Sequence, residues 1–314
     1  MELLLCADDR YAPYAATTMV SALEHLAEPE KARVTLLTPG LSEETQRSLA
    51  RLAQSYGARA QVVEIRDADV DPSCLHRFGI ASILPLFMHE HLGHECKRAI
   101  YLDCDMVVLA DLSPIWRLPL GGAVLAAVRD VSGDPEEHDA IVSSPYFNSG
   151  LLVVDLERWR QSDVAGQALD FLQQQGQRLR YPDQDALNHV LAGQWHELEP
   201  KWNLQSSAYA ALNTRPAHLR PLLPALEDAL RDPSVVHYTG HVKPWHAHSE
   251  HPLKDIFRHF SCLTPWPLRE KELMRGLHWR KRLRMMLKAN KIRRRRNKTR
   301  WTAHTGLRKA NLKS

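Results

Sequence analysis

The chain has 314 residues, of which 44% are hydrophobic and 25% charged, with 14 Gly and 19 Pro. These values are typical of a globular protein and exclude collagen, a coiled coil and a mostly disordered chain. Residues 267–314 contain 18 Lys or Arg and two Glu, a net charge of +16, whereas residues 1–266 contain 23 basic and 35 acidic residues, a net charge of −12. We therefore interpret the sequence as an acidic body with a strongly basic tail.

The first 130 residues alternate between two patterns. Short apolar runs predict strands, and apolar residues at helical spacing predict helices. In chain order the predicted elements are a strand at 2–7, a helix at 13–26, a strand at 33–38, a helix at 42–56, a strand at 61–65, a helix at 82–92 and a strand at 98–102. Such alternation with apolar strands predicts an α/β fold, with a mostly parallel sheet covered by helices on both faces.

The middle of the chain mixes the two patterns. It predicts strands at 123–128 and 150–154 and helices at 159–174 and 184–191. Asp183 stands where its side chain can cap the last of these helices. No internal repeat or low-complexity linker precedes residue 266. We therefore interpret residues 1–265 as one α/β domain and residues 266–314 as a tail.

The tail contains a basic amphipathic pattern. A helix over residues 273–292 would place four apolar side chains on one side, among basic residues: Trp279, Leu283, Met286 and Leu287. Such a helix with a Trp is typical of a peripheral anchor on an anionic membrane surface. A solvated disordered tail and a nucleic-acid-binding arm are the alternatives, and no nucleic-acid-reading motif supports the second of them.

Cysteine usage and hydropathy predict a cytoplasmic location. The five scattered cysteines form no CxxC pair and no zinc-ligand spacing. A few free thiols are typical of a reducing compartment. The first apolar stretch, Leu3–Ala7, is too short for a signal peptide or a membrane span, and the sequence contains no apolar run of 18 residues. We therefore expect a cytoplasmic protein that is either free or peripheral on the cytoplasmic face of a membrane.

The strongest chemical motif is Tyr101-Leu102-Asp103-Cys104-Asp105, at the end of a predicted strand. Open α/β sheets bind ligands at the carboxyl ends of their strands. Asp103 and Asp105 would point to one face of a strand that continued straight, and paired carboxylates suit Mg²⁺ or Mn²⁺ that binds phosphate oxygens. Because adjacent buried carboxylates are costly unless a cation neutralises them, a metal site is favoured over a solvated turn.

A second motif, His237-Tyr238-Thr239-Gly240, ends an apolar strand and is followed by Lys243-Pro244-Trp245. Gly240 permits close approach of the backbone to a ligand, and Lys243 offers a point charge suited to phosphate. An imidazole as third ligand would shift the preferred metal from Mg²⁺ toward Mn²⁺. The chain has 17 histidines, so a purely structural role for His237 stays open at this point.

Three further motifs complete the pattern: Cys6-Ala7-Asp8-Asp9-Arg10-Tyr11, Asn148-Ser149-Gly150, and Asp183-Gln184-Asp185-Ala186-Leu187-Asn188. Taken in chain order, the five motifs resemble those of the retaining nucleotide-sugar glycosyltransferases of glycosyltransferase family 8. The likeness is greatest to bacterial lipooligosaccharide and lipopolysaccharide galactosyl- and glucosyltransferases. The basic tail resembles the membrane-attachment region of that family.

The resemblance implies a GT-A-like fold and transfer of galactose or glucose from a UDP-sugar, with retained anomeric configuration. It implies Mn²⁺, with Mg²⁺ as an alternative, bound by Asp103, Asp105 and His237 and bridging the two phosphates. The implied acceptor is a saccharide or glycolipid, such as a lipopolysaccharide or lipooligosaccharide core. The implied location is the cytoplasmic face of the inner membrane.

The resemblance also implies roles for single residues near the donor. They are Ala7, Asp8, Arg10 and Tyr11 around the nucleoside, with Cys104 nearby; Gly240 and Lys243 at the diphosphate; Asn148, Ser149, Asp183 and Gln184 around the sugar; and Asp130 near donor or acceptor hydroxyls. Gln184, Asp130 and Asp183 would be the catalytic residues. An amide is a poor nucleophile compared with a carboxylate, so Gln184 favours front-face attack over double displacement.

Two positions depart from the family pattern. The family usually has Asn where this chain has Arg10, and Arg where this chain has Pro85. Either a donor contact is lost, or Arg10 supplies the missing positive charge. Two alternatives therefore stay open: a non-catalytic nucleotide-sugar-binding module recruited to a membrane by its tail, and a glycogenin-like enzyme that glycosylates its own Tyr.

Overall fold

The structure is a computed structural model that describes residues 1–65, 80–132 and 145–268. Its strands are β1 (Glu2–Cys6), β2 (Arg33–Thr38), β3 (Arg59–Glu64), β4 (Arg98–Leu102), β5 (Met106–Val108), β6 (Leu125–Arg129), β7 (Phe147–Asp155), β8 (Trp195–Glu197), β9 (Leu204–Gln205) and β10 (Val235–His237). Its α-helices are α1 (Ala12–His25), α2 (Glu43–Ser55), α3 (Met88–His91), α4 (Ser113–Trp116), α5 (Leu156–Gln161), α6 (Val164–Gln175), α7 (Pro182–Val190), α8 (Ser207–Thr214), α9 (Leu223–Arg231) and α10 (Lys254–Ser261).

The strands form two sheets. The larger has seven strands in the order β3-β2-β1-β4-β7-β6-β8, and the smaller has the order β5-β10-β9. In the larger sheet β3, β2, β1 and β4 are parallel, as are β6 and β8, whereas β7 runs antiparallel to both of its neighbours. The prediction of an α/β fold with a mostly parallel sheet is confirmed.

The first strand shows why the sheet is covered on both faces. All five residues of β1 are buried. Leu3 and Leu5 pack in a hydrophobic cluster with α1 and α2, whereas Leu4 and Cys6 belong to a second cluster on the opposite face. Because successive strand residues alternate between faces, a continuous apolar run such as this one needs a core on each side.

Two predicted helices differ in the structure. The segment predicted as a helix at 82–92 consists of 3₁₀ turns at Ile80–Ser82 and Leu84–Phe87 and the short α3. Pro85 lies buried within the second turn, and a proline donates no backbone hydrogen bond to a longer helix. The helix predicted at 159–174 is divided into α5 and α6, because Asp163 adopts a left-handed conformation with φ of 46°.

The proposed cap at Asp183 is wrong. Helix α7 begins at Pro182, a residue suited to the first helical position, and Tyr181 is the residue before it. Asp183 therefore lies in the first turn of α7, and its carboxylate accepts a hydrogen bond from the Ser149 hydroxyl instead. Because the helix begins two residues earlier than predicted, the side chain of Asp183 faces β7.

Strand register brings distant motifs to one edge. Leu102 pairs with Leu151 across β4 and β7, so the start of β7 lies beside the end of β4. In the smaller sheet His237 pairs with Met106, which places the end of β10 beside the turn between β4 and β5. The helix predicted at 273–292 lies outside the described residues. In the described part of the chain, the helices are all too short or too polar to cross a lipid bilayer.

Candidate active site

The structure brings Asp103, Asp105 and His237 together at the carboxyl end of β4. Asp103 follows β4, Asp105 precedes β5, and His237 ends β10. The Nε2 atom of His237 lies 3.5 Å from Oδ2 of Asp103 and 3.2 Å from Oδ1 of Asp105. One potential ligand atom from each residue lies within 4.8 Å of the other two. Three sequence segments thus form a single cluster of possible metal ligands.

A chain of hydrogen bonds that starts at a backbone N–H assigns the proton on the His237 ring. The N–H of Gly150 donates to Oδ1 of Asn148 at 3.1 Å, which identifies that atom as the oxygen. Asn203 must then donate its Nδ2 to Asn148, at 2.8 Å, and present its Oδ1 to Nδ1 of His237, at 3.0 Å. His237 therefore carries a proton on Nδ1, and Nε2 is the ring nitrogen that faces the carboxylates.

The two carboxylates of the cluster have different charge environments. Burial and then the negative charge of Asp105 raise the pKa of Asp103, against the opposing effects of His237 and of a hydrogen bond of 2.5 Å from the Tyr101 hydroxyl. Burial also acts to raise the pKa of Asp105, but the charge of Lys243, which pairs with it, and the imidazole of His237 hold that pKa below its ordinary value. Lys243 therefore pairs with Asp105, and its charge has a smaller effect on Asp103.

Strand β7 passes very close to the cluster at Gly150. A Cβ atom at this position would lie 2.3 Å from Cε1 of His237 and 2.9 Å from Oδ2 of Asp103. The carbonyl oxygen of Gly150 also accepts the N–H of Asp103 at 2.8 Å. Glycine is needed here because of this close approach, which is one of the reasons for a glycine inside a strand.

A second network surrounds Gln184 on α7. Its Oε1 accepts from the N–H of Ser149 and from Nδ2 of Asn148, each at 3.0 Å. Its Nε2 donates to Oδ2 of Asp130 at 3.2 Å and to the Tyr146 hydroxyl at 3.1 Å. Asn148 Nδ2 also donates to Oδ2 of Asp130, at 3.1 Å. Because a backbone N–H only donates, the Gln184 amide has one orientation, and both lone pairs of Oε1 are engaged.

Asp183 is a third carboxyl close to the cluster. Its Oδ2 accepts the Ser149 hydroxyl at 2.9 Å. Burial and then the negative charge of Asp103 raise the pKa of Asp183 to about 7. The neighbouring Asp185 is almost fully buried. It accepts a hydrogen bond of 2.5 Å from the Tyr146 hydroxyl and so holds the hydroxyl to which Gln184 donates. The carboxyl of Asp183 therefore changes its charge near neutral pH.

The residues proposed for the nucleoside lie at the end of β1, next to β4. Ala7 is fully buried, and Oδ1 of Asp8 accepts the N–H of Tyr11 at 2.9 Å where α1 begins. Arg10 and Tyr11 are exposed. The thiol of Cys104, between the two cluster aspartates, donates to the carbonyl of Cys6 at 2.9 Å and so links this strand end to the cluster.

The segment after β10 completes the edge. Lys243 Nζ pairs with Asp105 and donates to the carbonyl of Tyr238 at 2.9 Å. Gly240 has φ of +88°, a backbone conformation that residues other than glycine rarely adopt. The ring of Trp245 lies 6.4 Å from the ring of Tyr11, centre to centre. Lys243 and the nucleoside-side residues therefore face one region of the surface.

Sequence reasoning missed Asn203 and gave no role to Tyr146. Asn203 is 1% exposed in a 3₁₀ helix just before β9, and it orients both His237 and Asn148. A polar residue between Trp202 and Leu204 is its only sequence signal. Tyr146 directly precedes β7, and its partners Gln184 and Asp185 lie on α7.

The donor set fits a divalent cation. A cation with oxygen and nitrogen ligands at about 2.0–2.6 Å places its ligand atoms within about 5 Å of one another. The three atoms of the cluster meet this limit, and Nε2 of His237 is the ring nitrogen that faces the two carboxylates. Two carboxylates and one imidazole are chemically suited to Mn²⁺, and the oxygens alone suit Mg²⁺.

The fold and the cluster define an α/β protein with a ligand site at the carboxyl edge of its sheet. Residues 2–249 match the model of glycosyl transferase family 8. The chain therefore belongs to glycosyltransferase family 8 and is an enzyme of the glycosyltransferase class.

Individual relatives agree with this assignment. General stress protein A of Bacillus subtilis (strain 168) is 28% identical over 85% of this chain and 94% of its own length. Lipopolysaccharide 1,2-glucosyltransferase of Escherichia coli (strain K12) is 30% identical over 69% of this chain and 65% of its own length. The crystal structure of the galactosyltransferase LgtC with donor and acceptor sugar analogues matches with a TM-score of 0.73 and 25% identity, over 84% of this chain and 96% of that one. The expected GT-A-like fold and family are thus confirmed.

Gly150→Ala tests the close approach of β7. The added methyl group would overlap the His237 ring, so we expect the ring to move and the affinity for Mn²⁺ to fall by more than about tenfold. Gly166→Ala is the matched control, because a Cβ there meets only the flexible carboxylate end of Asp163. Isothermal titration with Mn²⁺ measures both variants. Unchanged affinity in a folded Gly150→Ala protein would contradict the described geometry.

Proposed function

We propose that the protein transfers a hexose, galactose or glucose, from a UDP-sugar to a saccharide acceptor with retention of configuration. The observation that carries this proposal is the convergence of Asp103, Asp105 and His237 beside Lys243. The relatives named as a glucosyltransferase and a galactosyltransferase support the sugar class. A lipopolysaccharide or lipooligosaccharide core is the acceptor that these names favour.

Asp103, Asp105 and His237 would bind Mn²⁺, with Mg²⁺ as the alternative. A divalent cation bound there would act as a Lewis acid toward the diphosphate of the donor. Lys243 would add a positive charge where the negative charge of the leaving UDP develops. Its ammonium already lies against Asp105 and the Tyr238 carbonyl, so its charge is available at the cluster without large movement.

The remaining site residues would bind the two ends of the donor. The nucleoside would lie over Ala7, Asp8, Arg10 and Tyr11, near Cys104, and the diphosphate near Gly240 and Lys243. The hexose would face Asn148, Ser149, Asp183 and Gln184, with Asp130 near donor or acceptor hydroxyls. The fold supports this division. The residues at 7–11 follow β1, whereas the residues proposed for the hexose lie on β7 and α7.

The network around Gln184 favours front-face attack. In this reaction the bond between C1 and the UDP oxygen breaks with its electron pair on the phosphate, and the acceptor oxygen bonds to C1 on the same face. The acceptor proton passes to the departing phosphate oxygen. A double displacement would instead need a free lone pair on Gln184 Oε1, but the N–H of Ser149 and the amide of Asn148 already occupy that atom.

We also propose that residues 1–265 form the transferase domain and that residues 266–314 attach it to the cytoplasmic face of the inner membrane. The charge of the tail supports this proposal, because each Lys or Arg near an anionic surface contributes about 1 kcal/mol of attraction. The acceptor class suits this location, since a glycolipid core would be presented at the same surface.

A screen of UDP-sugars tests the function. We expect Mn²⁺-dependent release of UDP from UDP-galactose or UDP-glucose, which a saccharide acceptor accelerates. Asp105→Asn should lower the rate more than about 100-fold, whereas the exposed Asp170→Asn on α6 should not change it. Binding of UDP-sugar without any turnover would instead support a non-catalytic module, and an increase in intact mass after incubation with UDP-glucose would support self-glycosylation.

Gln184→Ala separates the two mechanisms. If Gln184 only orients neighbouring groups, its loss lowers the rate but leaves measurable transfer. The exposed Gln173→Ala serves as the control, and circular dichroism verifies the fold of both variants. Complete loss of activity in a folded Gln184→Ala protein would count against front-face attack.

Vesicle binding tests the tail. We expect the full chain to sediment with anionic vesicles at low salt and to be released at high salt, because exposed charges are screened. A chain that ends at residue 266 should stay in the supernatant. Equal binding of the two chains would rule out attachment through residues 267–314, and binding of nucleic acid alone would favour the nucleic-acid arm.

A further inference from the structure

One buried hydroxyl lies at the centre of the turn that carries the two cluster aspartates. Thr18 lies on α1 and is fully buried. Its Oγ1 lies 3.3 Å from the carbonyl oxygen of Asp103, 3.0 Å from that of Cys104 and 2.9 Å from that of Met106. These three carbonyl oxygens span the whole turn from β4 to β5. A single side chain from a helix 85 residues away in sequence therefore contacts the backbone on both sides of Asp105.

The convergence of three carbonyl oxygens needs a donor. Carbonyl oxygens that point to one place repel each other, and a buried acceptor without a donor costs about 1–3 kcal/mol. The proton of Thr18 Oγ1 meets this need, with Met106 the nearest acceptor and Cys104 the next. Without it, the peptide planes of the turn would rotate to reach other donors. Because the plane that carries the Cys104 carbonyl also carries the N–H of Asp105, such a rotation would move the Asp105 carboxylate.

The attachment of α1 to this turn is reinforced one helical turn further on. Ser21 donates its hydroxyl to the carbonyl of Thr18 at 2.8 Å and accepts the N–H of Val108, in β5, at 2.9 Å. The preceding residue, Thr17, is equally buried, but its hydroxyl bonds to the Pro13 carbonyl within α1 at 2.9 Å. Two adjacent buried threonines thus differ in one respect, since only Thr18 contacts the turn.

We propose that Thr18 is a positioning residue for the metal site: its hydroxyl sets the conformation of the turn at 103–106 and hence the separation of the two carboxylates. This inference rests on the proposed function, because it assumes that the cluster binds a divalent cation. Thr18 contacts neither the carboxylates nor His237 in this role. It acts through the backbone, as outer partners of metal ligands do.

The test uses the full-length protein and Mn²⁺ alone, titrated by the electron paramagnetic resonance signal of the free ion. Thr18→Val keeps the shape but removes the hydroxyl, and we expect Mn²⁺ affinity to fall by about 10–100-fold. Thr18→Ser keeps the hydroxyl and should bind Mn²⁺ as the unaltered protein does. Thr17→Val, the matched control, should also keep its affinity. Urea unfolding of all four proteins shows whether stability changes in parallel.

Each outcome is decisive. If Thr18→Val and Thr17→Val lower stability alike while both keep Mn²⁺ affinity, Thr18 is only a core residue and the inference is wrong, although the metal site stands. Should Thr18→Val not fold, a folded Thr18→Ser protein with weakened Mn²⁺ binding would still overturn the inference, and one with full affinity would support it. If the unaltered protein binds no Mn²⁺, the metal site itself fails, and the inference fails with it.

Discussion

The close packing of the β7 backbone against the His237 ring is the constraint on which the candidate site depends. At Gly150 there is no room for a Cβ atom between the strand and the ring. The same residue accepts the N–H of Asp103 and donates its own N–H to Asn148. One backbone unit therefore holds the ring of His237 by contact, and the end of β4 and the side chain of Asn148 by hydrogen bonds.

Two neighbouring backbone N–H groups of β7 give direction to the polar network of the site. The N–H of Gly150 orients the amide of Asn148, which orients Asn203 and so the tautomer of His237. The N–H of Ser149 orients Gln184. Since Asn148 also donates to Gln184, side-chain amides link the cluster of possible metal ligands to the region proposed for the sugar. Such a network is rigid only when every member is satisfied, as it is here.

Strand ends and carboxylates were predictable from the sequence, but the supporting contacts were not. The bounds of β2 and β4 agree with the prediction, because buried strands of a parallel sheet are continuous apolar runs that stop abruptly at polar residues. Asn203 and Thr18 contact the site from segments that are distant in sequence, and neither belongs to a repeating pattern. Pro85 and Asp163 each interrupt a predicted helix. Pro85 donates no backbone hydrogen bond and Asp163 has a left-handed backbone, and apolar spacing indicates neither property.

The balance of charge gives an independent reason for a cation at this site. When Asp103, Asp105 and Asp183 are all ionised, Lys243 neutralises one of the three. Burial and the charge of Asp103 then raise the pKa of Asp183 to about 7, so that its carboxyl keeps a proton below that pH. A divalent cation beside Asp103 would remove this repulsion and release that proton. In the proposed function, binding of a divalent cation and ionisation of Asp183, next to the proposed sugar position, would therefore depend on each other.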